Sequence, residues 1–279
     1  MTARVSNLVQ RFATAAVGIP LILVLLYLAP PWAFYALVLP AALVGSYELF
    51  AMTHRNDRVA RAIGVLVALA ASLTVFAQPA NPRALMAVLT LVPLSGPLVT
   101  LLRIAPLETA ALRACSLGFG PLFVAVPLTL LAVLRRTFDA GHVGAGAALL
   151  AIGLAWFPDT GAYFAGRFFG RHKLYEAVSP KKTVEGAVGG LVAAVVWAAG
   201  ASLSYLRGVL PLGHAIGLGL VAGVFGPAGD LGESLLKRST GVKDSGAIVP
   251  GHGGVLDRVD AVIATSVVVY LYAQWAWTP

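Results

Sequence analysis

Long runs without a single charged residue constrain the fold of this chain more than any other feature. The first extends from residue 12 to 47, and Pro30-Pro31 divides it into two segments. About 20 apolar residues are needed to cross the hydrocarbon core of a bilayer as a helix. Seven further uncharged runs have 19 to 22 residues each: 62–82, 84–102, 114–134, 140–158, 186–206, 208–229 and 261–279. The runs predict an all-α polytopic membrane protein with about nine transmembrane helices.

The overall composition excludes several classes of protein. Charged residues make up 11% of the 279 residues, whereas a soluble domain carries about 25%. A soluble enzyme and a disordered chain are therefore excluded, and the single cysteine, Cys115, cannot close an intrachain disulfide. A cleaved secretory signal is the alternative for the first run. We interpret that run as a retained span, because it is too long for a signal and Pro30-Pro31 stands where cleavage would occur.

The basic residues are distributed unevenly between the two sides of the predicted membrane. Sixteen of the 20 Lys and Arg residues fall on one side and four on the other. The positive-inside rule then predicts a cytoplasmic N-terminus and a C-terminus outside. The richer side comprises the N-terminal segment and the loops near 51–61, 103–113, 166–185 and 233–260. The net charge of +8 thus indicates loops that face an anionic leaflet rather than a nucleic-acid partner.

Charge also divides the chain into two regions. All five lysines and eight of the twelve acidic residues fall between residues 159 and 260. We predict an N-terminal region, 1–134, of five spans that is nearly inert by composition. The remaining region, 135–279, is predicted to carry the chemistry on loops at the cytoplasmic side.

Asp159 and a lysine pair are the first candidates for function. Asp159 ends the sixth apolar run, where a carboxylate either has a functional role or simply ends the span. Ser179-Pro180 predicts an N-cap and first helical residue, so that Lys181 and Lys182 would lie in the first turn of the next helix. Free backbone N–H groups and two lysines there would bind phosphate. The alternative is that both lysines only satisfy the positive-inside rule.

Four more carboxylates occur in two pairs near span ends. Asp230 and Glu233 are three residues apart and so share a helical face, and Asp257 and Asp260 repeat that spacing at the start of the last helix. Carboxylate oxygens suit Mg²⁺, which takes one or two of them together with phosphates and water. His252 is more often a hydrogen-bonding loop residue than a ligand. Residue types and spacing therefore indicate polyanionic substrates, at least one of them a lipid.

Two segments of the C-terminal region resemble the phosphatidate cytidylyltransferases, also called CDP-diacylglycerol synthases. The signature of that family is similar to SLLKRSTGVKDSGAIVPGHGGVLDRVD, residues 234–260. A second block is similar to DTGAYFAGRFFGRHKLYEAVSPKKTVEG, residues 159–186, and GDLGES from Gly229 also matches. The resemblance covers about the C-terminal 120 residues. The first 134 residues agree only in being apolar helices.

The resemblance implies an activity and a role for each motif residue. CTP and phosphatidate would give CDP-diacylglycerol and pyrophosphate with Mg²⁺, the number of cations being open, in a polytopic and commonly dimeric protein of a bacterial-type plasma membrane. The implied catalytic residues are Asp159, Asp230, Lys237 and Asp257. The implied metal ligands are Asp230, Asp257 and Asp260. The implied substrate-binding residues are Lys181, Lys182, Arg238, Lys243, Asp244, His252 and Arg258.

Three other functions are weaker interpretations. A CDP-alcohol phosphotransferase needs a DG-x-x-AR block, which this sequence lacks. A CTP-dependent polyprenol kinase would not need the full run from Lys237 to Asp260. A transporter would place ionisable residues in mid-membrane and show two related halves, whereas here the charges lie at span ends.

Overall fold

The computed structural model describes residues 16–138, 142–246 and 253–277, and these ranges are almost entirely helical. Eight helices in them are long and apolar enough to cross a membrane, which confirms the prediction of an all-α polytopic membrane protein. A shorter apolar helix precedes the eight, within the first uncharged run. The N-terminal helices are α1 (Ala16–Tyr27), α2 (Pro31–Thr53), α3 (Arg58–Ala77), α4 (Pro82–Leu102), α5 (Ala110–Gly120) and α6 (Val126–Thr137). The C-terminal helices are α7 (Val143–Phe169), α8 (Val184–Leu203), α9 (Leu212–Ser239) and α10 (Leu256–Ala276).

Helices α5 and α6 form one continuous span, Leu107–Thr137. A π-helical segment, Pro121–Ala125, joins them, since Pro121 has no N–H to donate and the helix adjusts locally around it. This span matches the single uncharged run 114–134 of the sequence.

Small residues set the packing of the C-terminal helices. The first half of α7 is buried from Gly144 to Ala155, and α10 contacts α2, α6, α7 and α9. Gly161 of α7 lies so close to Gly189 of α8 that an added Cβ would come within 2.7 Å of the Gly189 carbonyl. Backbones approach this closely in membrane proteins because van der Waals packing, not the hydrophobic effect, holds the helices together. The polar ends of α7, α9 and α10 are thereby brought together.

A β-hairpin between α7 and α8 corrects the local prediction for Lys181 and Lys182. Strands β1 (Lys173–Tyr175) and β2 (Ser179–Thr183) pair antiparallel, with Lys173 opposite Thr183. The predicted N-cap at Ser179 is therefore wrong. Helix α8 begins at Val184, and Thr183 is its N-cap, accepting a hydrogen bond of 3.1 Å from the Gly186 N–H.

Candidate active site

Three carboxylates face one another where α7, α9 and α10 meet. Asp159, Asp230 and Asp260 lie within electrostatic range of one another. Helix α7 continues past Asp159 to Phe169, so this residue does not end the helix. Like charges held at close quarters repel unless a cation offsets them. The arrangement therefore favours the approach of positive charge.

Lys182 supplies part of that charge. Its Nζ lies 2.5 Å from Asp230 Oδ2, and both side chains are about one quarter exposed. The hairpin makes this contact possible, because strand β2 carries Lys182 alongside α9 instead of into the first turn of α8. A lysine held this way stays available for an anion that arrives at the same carboxylates.

A cavity of about 420 Å³ opens beside this ion pair. Its charged lining residues are Asp159, Arg167, Lys181, Lys182 and Asp230, and most of the others are small or apolar. Lys181 is exposed. The lining thus combines charged and apolar groups, which suits a molecule that has both a phosphate and a hydrocarbon part.

Lys237 forms a second, more buried ionic group on α9. Its Nζ lies 2.5 Å from Glu233 Oε2 and 2.6 Å from Asp257 Oδ1. The Glu233 side chain is fully buried and the Asp257 side chain is 8% exposed. One lysine between two carboxylates offsets one negative charge, and its removal would leave both buried carboxylates without a counter-charge.

Asp257 also organises the loop that precedes α10. Its Oδ2 accepts hydrogen bonds from Ser245 N (3.1 Å), Ser245 Oγ (2.9 Å) and Gly254 N (2.8 Å). Gly253 has φ +81°, and a Cβ on Gly254 would lie 2.1 Å from Ser245 Oγ. Glycine is required at both positions, for the backbone angle at one and for the close approach at the other. Ser245 and Gly254, from either end of the glycine-rich segment, are therefore both held by one carboxylate.

Glu48 belongs to the same group although sequence reasoning missed it. This residue of α2 is 2% exposed, and it accepts hydrogen bonds from Ser245 Oγ (3.3 Å), Val255 N (3.1 Å) and Leu256 N (2.8 Å). Helix α2 of the N-terminal region thus contacts both Ser245 and the start of α10. The available signal was its position, since Glu48 is the first charge after 36 uncharged residues.

Four other predicted substrate-binding residues lie within the described ranges. Arg238 donates to the carbonyls of Val178 (3.4 Å) and Val242 (3.2 Å), and so ties the hairpin to the loop after α9. Arg258 lies within electrostatic range of Asp159. Lys243 and Asp244 are exposed on the loop. His252 lies outside the described residues.

The protein carboxylates alone supply only part of the ligand set that a hard divalent cation needs. In the described ranges no three Asp, Glu, His or Cys side chains form a ready metal-binding group, and Asp230, Asp257 and Asp260 do not converge as one. Asp260 accepts one hydrogen bond, from the Ala261 N–H at 2.7 Å, so its second oxygen can still act as a ligand. Mg²⁺ usually takes one or two protein carboxylates and completes its shell with phosphate and water. Asp230 and Asp260 fit that requirement once a phosphate is present.

Comparisons with known proteins converge on one kind of relative. The sequence model of a family described as the cytidylyltransferase family matches residues 9–276. A phosphatidate cytidylyltransferase of Staphylococcus aureus (strain COL) is 45% identical over 113 residues, which are 40% of this chain and 43% of that protein. One from Synechocystis sp. is 44% identical over 133 residues, 44% of this chain and 42% of that protein. The chain thus matches less than half the length of these curated relatives.

Proposed function

We propose, because the chain belongs to the cytidylyltransferase family, that it transfers the cytidylyl group of CTP to phosphatidate, giving CDP-diacylglycerol and pyrophosphate. One observation carries the proposal. The Lys182–Asp230 ion pair lines a cavity that small and apolar residues of α7 and α8 also line. That combination suits a lipid phosphate more than a soluble one. The matched relatives bear the name of the same activity.

The reaction follows from the charges that line the cavity. A phosphatidate oxygen, already ionised, attacks the α-phosphorus of CTP, and the bond from that phosphorus to the β-phosphate oxygen breaks to release pyrophosphate. Lys181 and Lys182 face the cavity and would hold the phosphates in line. Orientation of two bound reactants in this way removes much of the entropic barrier. No covalent bond to the protein is needed.

Asp230 and Asp260 would hold Mg²⁺, with Asp159 beside them. Such an ion offsets the charge that develops on a departing pyrophosphate. Lys237 and Asp257 would have a structural role, because their contacts tie α9, Ser245 and Gly254 to the start of α10. We assign Asp257 as a metal ligand or a positioning residue, a choice that Mg²⁺ titration decides.

We place the enzyme in a bacterial-type plasma membrane, with the cleft at the cytoplasmic face. The relatives are bacterial, and 16 of 20 basic residues belong to the side that bears the site. CTP is a highly charged nucleotide of the cytoplasm and does not cross a bilayer. We also expect a homodimer, as the family resemblance implies.

Purified protein with phosphatidate, Mg²⁺ and CTP labelled at either the α or the γ position tests the proposal. The expected result is α label in a lipid product and γ label in pyrophosphate. Asp230→Asn should lose turnover, and Glu108→Gln, the neutralisation of an exposed acid far from the cleft, should not. Transfer of γ label to a lipid would instead identify a kinase and overturn the proposal, as would the absence of any labelled lipid.

A further inference from the structure

A second cavity, of about 480 Å³, lies between the α2–α3 turn, the end of α4, helix α5 and the end of α9. It shares no lining residue with the cavity beside Lys182. Its polar lining includes His54, Arg55, Asp57, Arg103, Arg113 and Thr240. The chemistry proposed for CTP and phosphatidate uses none of these residues.

The lining has an excess of positive charge. Three arginines face a single carboxylate, Asp57, which is paired with Arg103 at 2.6 Å. Arg113 is 4% exposed and donates to the carbonyls of Arg103 (2.8 Å), Ile104 (2.7 Å) and Pro106 (2.8 Å). Carbonyl dipoles solvate a guanidinium but do not cancel its charge. An anion in the cavity would do so.

Two buried nitrogens in the lining have no hydrogen-bond partner among the described residues. They are His54 Nε2 and Arg113 Nε, on side chains that are 2% and 4% exposed. Burial, and secondarily the charge of Arg113, lowers the pKa of His54 to about 4, so His54 adds no charge at neutral pH. Unsatisfied buried polar atoms are costly. Both side chains line the cavity, so an anion that enters it would lie close to them.

The rim of the cavity lies at the level where lipid headgroups are expected. Leu112 is part of the lining, and beside it Leu102, Ile104 and Leu107 are 86%, 49% and 69% exposed. Helix α4 ends at Leu102, so these side chains follow directly on a span. Apolar groups at a span end next to arginines match the two parts of an anionic phospholipid.

We propose that this cavity binds the phosphate of an anionic membrane phospholipid, at a site separate from the catalytic cleft. Arg55 and Arg103 line the opening and Arg113 the buried end. Arginine is suited to this role because its planar guanidinium binds phosphate oxygens in pairs. The bound lipid would lie next to the loop after α9, since Arg55 Nη2 donates to the carbonyl of Thr240, three residues beyond Lys237.

Binding of phosphatidylglycerol by the detergent-purified protein, followed by native mass spectrometry, tests this site. The variant Arg55→Gln/Arg103→Gln removes two charges at the opening, and Arg83→Gln removes an exposed arginine at the start of α4. We expect the double variant to retain phosphatidylglycerol at least tenfold less well than the wild type. The control should match the wild type, and phosphatidylcholine should not distinguish the three proteins.

Equal retention of phosphatidylglycerol by the wild type and the double variant would overturn the proposal. A second arm adds inorganic phosphate and follows the melting temperature. The decisive result would be a melting temperature that phosphate, but not phosphatidylglycerol, raises in the wild type and leaves unchanged in the double variant. The ligand would then be a soluble anion, and the lipid assignment would be wrong. Should the double variant not fold, Arg55→Gln alone serves, because the exposed Arg55 side chain donates to the Thr240 carbonyl and forms no ion pair with Asp57.

Discussion

Glu48 of α2 accepts a hydrogen bond of 2.8 Å from the backbone N–H of Leu256, the first residue of α10. The two residues are 208 positions apart, and both are buried. A carboxylate at a helix N-terminus is favoured because it accepts hydrogen bonds from free N–H groups and opposes the positive end of the helix dipole. Glu48 thus holds the start of the helix that carries Asp257 and Asp260.

We predict that Glu48→Gln lowers kcat at least tenfold with a smaller change in KM for CTP. The glutamine amide would direct an NH₂ group at backbone donors, and an unsatisfied pair of this kind costs about 1–3 kcal/mol. Steady-state kinetics and melting temperature in detergent measure the two effects. Glu108→Gln, an exposed neutralisation, should change neither.

If Glu48 positions the site, its substitution changes kcat as well as the melting temperature. Glu48→Asp keeps the charge and should recover part of kcat. If Glu48→Gln melts earlier but turns over normally at low temperature, Glu48 only stabilises the fold, and its assignment to the site is wrong.

The spans could be predicted from the sequence because charge is so rare in it. The first uncharged run contains α1 and most of α2, and each later run became one helical span, including the interrupted one around Pro121. Helix ends were predicted less well, since α7 continues ten residues past Asp159 and α9 continues past Asp230 to Ser239. Polar residues can extend a helix beyond the apolar run wherever neighbouring helices and hairpins pack on it. A run of uncharged residues therefore locates a span without fixing its ends.

The site was predicted in its residue types but not in its pairings. The motifs contain Lys182, Asp230, Lys237 and Asp257, yet nothing in their spacing pairs Lys182 with Asp230 across 48 residues. The hairpin depends on hydrogen bonds between two short strands, and Ser179-Pro180 equally resembles a helix start. Glu48 could not be found from local pattern at all, because its partners are backbone N–H groups of a distant segment.

Mg²⁺ titration should distinguish the role of Asp230 from the role of Asp257. Asp230→Asn removes an oxygen from the open carboxylate group, so the Mg²⁺ concentration for half-maximal activity should rise at least tenfold if any activity remains. Asp257 already accepts four contacts, from Lys237, Ser245 and Gly254. We expect Asp257→Asn to lower kcat with little change in that concentration.

If Asp257→Asn, and not Asp230→Asn, raises the Mg²⁺ concentration for half-maximal activity, Asp257 is the metal ligand. Asp230 then serves only as the ion-pair partner of Lys182. Isothermal calorimetry of each variant with Mg²⁺ and CTP gives an independent measurement of binding. Glu108→Gln is again the control.

Gly153→Ala should destabilise the protein by about 1–3 kcal/mol through overpacking. A Cβ at Gly153 would lie 2.0 Å from Trp197 Cε2, and Trp197 is fixed by its Nε1 hydrogen bond of 3.2 Å to the Leu150 carbonyl. Gly200→Ala in the same helix pair meets nothing within 4 Å, so it should raise stability by at most about 1 kcal/mol. Melting in detergent compares the two; equal melting temperatures would contradict the close α7–α8 packing at Trp197.

Acid should destabilise the folded protein through His54. Its pKa is lowered to about 4 by burial and then by Arg113, so the folded state keeps it neutral while the unfolded state takes up a proton below about pH 6.5. The stability it contributes is therefore full above that pH and is lost as the pH falls toward 4. Between pH 7.5 and 5.5 the loss should be about 1 kcal/mol.

The measurement is the melting temperature of the wild type, His54→Gln and His214→Gln across that pH range in one detergent. His54→Gln removes the contact of 2.9 Å between Nδ1 and Thr53 Oγ1, which lowers stability at every pH, so only the slope is diagnostic. We expect a shallower slope for His54→Gln and a wild-type slope for His214→Gln, whose imidazole is exposed. Parallel slopes for the wild type and His54→Gln would mean that His54 has the same pKa in the folded and unfolded states. His54 would then not be buried beside Arg113.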